Sequence, residues 1–277
     1  MRPDSTAILE SSIFPGSNLV LSPPILSIIV PVYNEEAHLE RIVRYLLGSQ
    51  CPIAREWLFV DDNSSDGSLR ILRELAGKHD LRIIEQPFNQ GKGAAVRRGI
   101  QEANGDFVLI QDADFEYDAN DIPELLAPLL DGSADVVFGS RFKKSSMQVH
   151  RTYHYFVNRV LTLLSNLLSG IYLTDMETCY KVFRADLIKS MRLASDRFGF
   201  EVEVTAYLAK TTARIFEVPI RYYPRSRLQG KKIGWRDGLA ALWHLVHFNI
   251  LVSADEIFDE LPKRYRQRGM EYAGRDS

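Results

Sequence analysis

Asp112 and Asp114 stand one residue apart, directly after the apolar run Phe107-Val108-Leu109-Ile110. Asn104-Gly105-Asp106 makes a turn before that run, so the pattern predicts a buried strand with two carboxylates at its carboxyl end. That edge is where open α/β sheets bind ligands. Strand alternation sends Asp112 and Asp114 to one side and Ala113 to the other. Convergent carboxylates repel unless a cation or proton lies between them, and hard oxygen donors suit Mg2+ or Mn2+. Such an ion completes its shell with phosphate oxygens. The motif therefore predicts a metal–diphosphate site.

Asp61-Asp62-Asn63-Ser64-Ser65-Asp66-Gly67 resembles a calcium loop when read from Asp62, but its twelfth position is Arg73, where a bidentate carboxylate is required. A strand-end loop whose acids accept from base or ribose donors accounts for it better. Turn and cap chemistry explains Asn63 to Gly67 and leaves Asp61-Asp62 unexplained. Gly91-Lys92-Gly93 lacks the ending of a P-loop. It reads either as a tight turn into a small-residue helix or as an anion contact at a helix N-terminus.

Basic residues cluster at Arg141, Lys143, Lys144 and Arg151, and again at Arg225, Arg227, Lys231, Lys232 and Arg236. The second cluster is interleaved with Gly230, Gly234, Tyr222, Tyr223 and Trp235, which suits a mobile lid over an anionic substrate. Asp175 lies in a polar break between an apolar helix and a strand, where it is either a helix terminator or a site carboxylate. The six histidines show no ligand spacing.

Positioning these residues takes an alternation of strands and helices. Leu26 to Pro31, Trp57 to Val60, Leu81 to Ile84, Phe107 to Ile110 and Asp135 to Phe138 read as strands, with amphipathic helices between them. Regular alternation predicts an α/β fold, a Rossmann-like, mostly parallel sheet flanked by helices on both faces. The second half is less regular: a helix from Arg151 to Gly170, a strand from Cys179 to Arg184, a helix from Phe200 to Lys210 and a strand at Ile215 to Val218. The expected organisation is a disordered leader (1–24), a single domain (25–252) made of two halves (25–140 and 141–252), and a charged, fraying tail (253–277).

At 277 residues with 45% hydrophobic and 25% charged residues, the chain can bury a substantial core. A formal net charge of −2 argues against a nucleic-acid partner. Two cysteines without metal or disulfide spacing suit a reducing, cytoplasmic compartment. No stretch qualifies as a membrane span. Tyr155 to Leu173 and Leu239 to Val252 come nearest, and each reads as a helix packed on the core or lying on a membrane surface.

Taken together, Val30-Pro31-Val32-Tyr33-Asn34-Glu35-Glu36, Val60 to Gly67, Asn89-Gln90-Gly91-Lys92-Gly93, Gln111-Asp112-Ala113-Asp114 and Gly139-Ser140-Arg141 resemble family two of the inverting glycosyltransferases. The branch they resemble includes dolichyl-phosphate mannosyltransferase and bacterial polyprenyl-phosphate glycosyltransferases. The resemblance runs from about Leu26 to Val252 and implies the GT-A fold. It implies that Pro31, Tyr33, Glu35 and Asp62, with Lys92 and Asp112, bind the nucleotide. Asp112, Asp114 and Glu116 would hold Mg2+ or Mn2+. Arg141, Arg151, Arg225, Arg227, Lys231 and Lys232 would meet the acceptor. The implied activity is transfer of a hexose from GDP-mannose or UDP-glucose to a polyprenyl or dolichyl phosphate, at the cytoplasmic face of a membrane with peripheral contact. Catalytic weight would fall on Asp114, Arg141 and Asp175. Two features depart from the branch: Glu177-Thr178-Cys179 stands where a Ser-Gly pair is common, and C-terminal spans are missing.

A lipid phosphate is already anionic and needs no general base, whereas a glycan hydroxyl does, with Asp175 the first candidate and Glu201 the second. A nucleotide-sugar-binding protein without turnover is a further alternative. A nicotinamide-dependent dehydrogenase ranks last, because no Gly-x-Gly-x-x-Gly follows the first strand.

Overall fold

The computed structural model describes residues 22–143, 152–197, 199–224 and 235–270. In chain order the strands are β1 (Ile25–Val32), β2 (Ala54–Asp61), β3 (Arg82–Glu85), β4 (Phe107–Ile110), β5 (Val136–Ser140), β6 (Lys181–Arg184) and β7 (Ile215–Pro219). The α-helices are α1 (Leu39–Leu47), α2 (Ser68–Ala76), α3 (Lys92–Glu102), α4 (Ile122–Leu130), α5 (Thr152–Ser169), α6 (Ala185–Lys189), α7 (Phe200–Leu208), α8 (Trp235–Val246) and α9 (Ala254–Ile257), with a π turn, His247–Leu251, after α8.

One seven-stranded sheet, in the order β3-β2-β1-β4-β6-β5-β7, crosses both halves of the chain. Every pairing is parallel except those of β6, which runs against β4 and β5. Strands buried on both faces need apolar residues at every position, which is why β4 reads as an unbroken apolar run. Alternation then divides them. Val108 and Ile110 pack with α3, α5, α7 and α8 on one face, while Phe107 and Leu109 pack with α1, α2 and α4 on the other.

The segment after residue 252 departs from the expected fraying tail. Ile257, Phe258, Leu261 and Tyr265 are all buried, and Asp259 N–H donates to the Ser190 carbonyl at 2.9 Å. Four apolar side chains taken out of water outweigh charges that stay solvated between them. The leader up to residue 21 lies outside the described residues, as do Lys144, Arg151, Arg225, Arg227, Lys231 and Lys232.

Candidate active site

The carboxyl ends of β1, β2, β4 and β5 share one sheet edge, and each delivers one of the sequence motifs to it. Because β6 is reversed, its entry loop, residues 174–180, reaches the same edge.

The β1 and β2 loops are stitched together. Asn34 and Asn63 adopt left-handed backbone with φ of 53° and 57°, and Asn34 N–H donates to Ser64 Oγ at 3.1 Å. Asn tolerates this conformation better than most residues. Pro31 and Glu35 emerge half-buried and Tyr33 exposed.

Asp62 is placed at this edge but does not offer a free carboxylate. Its Oδ1 accepts Gln90 N–H at 2.8 Å, and its Oδ2 accepts Gly91 N–H at 2.7 Å and Asn89 Nδ2 at 2.8 Å. These bonds shape the β3–α3 loop. Gly91 sits at φ 102°, and a Cβ there would lie 2.4 Å from the Asp196 carbonyl. A side chain on Gly93 would meet the Ser195 carbonyl at 2.2 Å. Glycine is required at both. The buried Oδ1 of Asp61 has no hydrogen-bond partner among the described residues.

Lys92, the first residue of α3, reaches back across the edge. Its Nζ lies 2.6 Å from Asp112 Oδ1, 3.0 Å from Cys179 Sγ and 3.8 Å from Glu201 Oε1. Burial opposes its charge, but the Asp112 and Glu201 carboxylates outweigh burial and hold the ammonium well above its ordinary pKa. The Cys179 thiol donates to Glu201 Oε1 at 3.2 Å, and burial with the nearby Asp112 carboxylate pushes its pKa well up. Cys179 is therefore a protonated thiol.

Asp114 Oδ1 accepts Glu116 N–H at 2.9 Å, and Glu116 Oε2 accepts the Tyr222 hydroxyl at 2.8 Å. Among the described residues no three His, Cys, Asp or Glu side chains gather in a metal-holding group. Asp112, Asp114 and Glu116 thus form no three-carboxylate cage, and Glu116 instead ties the β4 loop to the segment after β7. The donor chemistry still fits Mg2+ or Mn2+. Such ions, bound with phosphate, take one or two carboxylates and draw the rest of their shell from phosphate oxygens and water.

Arg141 and Asp175 are brought into direct contact. Arg141 Nε and Nη2 each lie 2.7 Å from Asp175, on Oδ2 and Oδ1 respectively, and Arg141 N–H donates to Oδ2 at 3.0 Å. Asp175 is 0% exposed and Arg141 9%. The guanidinium also lies over the Tyr222 ring, 5.1 Å from its centroid. Both Asp175 oxygens are engaged by Arg141, so the carboxylate orients that guanidinium. Arg141 remains a fixed cation at the edge.

Sequence reasoning gave Glu177 no role. Its Oε1 is buried without a partner among the described residues, and burial together with the charge of Glu201 pushes the carboxyl up to about 7. The one signal available was its place in the departure Glu177-Thr178-Cys179.

The family model described as Glycosyl transferase family 2 matches residues 27–192. The chain is 27% identical over 215 residues to dolichol-phosphate mannosyltransferase of Pyrococcus furiosus, covering 75% of this chain and 60% of that protein. It is 28% identical over 207 residues to dodecaprenyl-phosphate galacturonate synthase of Rhizobium johnstonii, covering 72% of this chain and 59% of that protein. With glycosyltransferase AglJ of Haloferax volcanii the identity is 31% over 205 residues, 74% of this chain and 65% of that protein. The chain therefore spans less than two thirds of the length of these relatives.

Among solved structures, glucosyl-3-phosphoglycerate synthase of Mycobacterium tuberculosis, in complex with Mn2+, UDP and glucosyl-3-phosphoglycerate, superposes with a TM-score of 0.61 at 16% identity, covering 82% of this chain and 80% of that one. Mannosyltransferase PcManGT of Pyrobaculum calidifontis, in complex with GDP-Man and Mn2+, gives 0.52 at 21% identity, covering 83% and 64%. At such identities the likeness is one of fold. The family match spans more than half of the 277 residues, and with the motifs gathered at one sheet edge it leads to a single conclusion: the chain belongs to glycosyl transferase family 2 and is a glycosyltransferase of the GT-A fold.

Proposed function

We propose that the protein transfers a hexose from a nucleoside diphosphate sugar to a polyprenyl phosphate, with inversion and with the help of Mn2+ or Mg2+. The observation that carries this reading is the Asp112–Asp114 pair at a sheet edge that also holds the Lys92 and Arg141 cations. Relatives named for dolichol phosphate and dodecaprenyl phosphate support the acceptor class, and structural neighbours holding Mn2+ with UDP or GDP-Man support the donor class.

Asp112 and Asp114 would hold the metal ion, which neutralises the departing diphosphate when bound. Lys92 places a second, permanent positive charge beside that leaving group. Pro31, Tyr33 and Glu35 border the base and ribose, and Asp62 keeps the β3–α3 loop in shape beneath them. Arg141, locked by Asp175, supplies a preorganised cation for the acceptor phosphate. Arg151, Arg225, Arg227, Lys231 and Lys232 remain acceptor candidates on sequence grounds. A phosphate nucleophile carries its own negative charge, which suits an edge where Asp175 is committed to Arg141.

One observation favours a second reading. A carboxyl near 7, as Glu177 has, is matched to removing a proton from a glycan hydroxyl. Transfer assays with labelled GDP-mannose and UDP-glucose, offered undecaprenyl phosphate or free glycans, decide between the two. Label in the lipid fraction, dependent on Mn2+ or Mg2+ and retained in Glu177→Gln, supports the phosphate acceptor. Label in the glycan alone, lost in Glu177→Gln, supports the hydroxyl.

A further inference from the structure

Two carboxylates stand within ion-pair distance of one lysine at the sheet edge. Asp112, after β4, holds Lys92 Nζ at 2.6 Å, and Glu201, in the first turn of α7, lies 3.8 Å from the same nitrogen. The Cys179 thiol links the lysine to the farther acid. Its sulfur accepts from the ammonium at 3.0 Å, and its proton goes to Glu201 Oε1 at 3.2 Å. Two carboxylates and one ammonium leave a net negative charge, and Glu201 carries the unmet share of it. This residue is 8% exposed, and among the described residues Lys92 is its nearest cation. A carboxylate withdrawn from water costs free energy until a cation is brought up to it. The N-terminal turn of α7 offsets only part of that cost.

Asp112 is the better seat for the ammonium only while it is otherwise free. A divalent ion and an ammonium on the same carboxylate repel each other, and the repulsion is strong where water is scarce. Lysine is suited to move. It is a compact charge with three rotatable donors on a flexible four-carbon stem. The path is short, because Nζ is already in reach of both acids and the thiol lies along the way. An arginine, planar and bound in a fixed fork, would lack this freedom.

We propose that Glu201 is the second seat of Lys92: when a divalent ion takes Asp112, the ammonium turns from Asp112 to Glu201 and stays at the edge as a separate positive charge. Glu201 is then a positioning residue that acts through Lys92, and no proton changes hands. The proposal rests on the reading of Asp112 and Asp114 as the metal-holding pair.

Binding of Mn2+ alone to the full chain, followed by the paramagnetic resonance of the unbound ion, tests it as a double-mutant cycle. Glu201→Gln is expected to weaken Mn2+ binding about fivefold or more, because the displaced ammonium loses its second seat. In Lys92→Met there is no ammonium to move, and adding Glu201→Gln should change affinity by less than about twofold. In protein with isotope-labelled lysine, the Lys92 ammonium signal is identified by its absence from Lys92→Met. That signal should shift on adding Mg2+ to the wild type and stay in place in Glu201→Gln. Unchanged thermal melts verify the fold of each variant. Equal losses in both backgrounds mean that Glu201 acts on the ion directly, and they overturn the proposal. An ammonium signal indifferent to Mg2+ overturns it as well. Mn2+ binding that survives in Asp114→Ala rejects the metal assignment and the second seat together. Binding lost in Asp114→Ala, with an additive cycle, rejects the second seat alone.

Discussion

The ammonium of Lys92 lies 2.6 Å from Oδ1 of Asp112, so the first carboxylate of the motif is neutralised by the protein itself. On the proposed function, lysine and divalent ion would draw on the same aspartate. Replacing Lys92 by Met is expected to tighten Mn2+ binding several-fold in the absence of nucleotide, because Asp112 loses its competing cation. The same change should slow transfer at least tenfold, because the charge beside the leaving group is gone. Isothermal titration with Mn2+ and a turnover assay check the two halves separately.

Changing Asp112 and Asp114 together to alanine should lower transfer by about a hundredfold or more. Chelation by EDTA should do the same to the wild type, with recovery on adding Mn2+ or Mg2+. Full activity in the double variant would remove the metal assignment.

The buried Arg141–Asp175 pair predicts a loss of stability when either partner goes alone. Asp175→Asn leaves a guanidinium out of water without its counter-charge, a cost of about 3–5 kcal/mol. Urea denaturation of Asp175→Asn, Arg141→Met and the double variant measures this as a cycle. The double variant is expected to be more stable than the sum of the single losses predicts.

Glu177 makes stability depend on pH. Its carboxyl titrates near 4.5 when unfolded and at about 7 when folded, so the folded chain holds the proton more tightly between these values. That contribution is fully present below the unfolded value and is lost as pH rises through about 7. Glu177→Gln should flatten the thermal-stability profile across this window. At pH 8 the variant should be the more stable by at most about 3 kcal/mol. A parallel pair of melting curves would exclude the shift.

The strands were legible because a sheet covered on both faces demands unbroken apolar runs, and β4 is one. Direction is different. Lys181 to Arg184 has the same apolar character whether it runs with its neighbours or against them, so the reversal of β6 left no trace in periodicity. Charges around Asp259 concealed Ile257, Phe258, Leu261 and Tyr265, whose burial depends on distant partners. In the site, residue types and strand-end positions were readable, but pairings were not. Lys92 with Asp112, Arg141 with Asp175 and Asp62 with the β3–α3 loop each join residues at least 20 positions apart, and those contacts decide which carboxylates are spoken for.

One reversed strand brings a loop from the second half of the chain to the edge that the parallel strands build. The parallel ladder from β3 to β4 carries the β1, β2 and β4 motifs, while the entry to β6 brings residues 174–180 to the same edge without contributing to that ladder. This entry is nevertheless tied to the edge at two points, through Cys179 to Lys92 and through Asp175 to Arg141, so a change of length there reaches both cations.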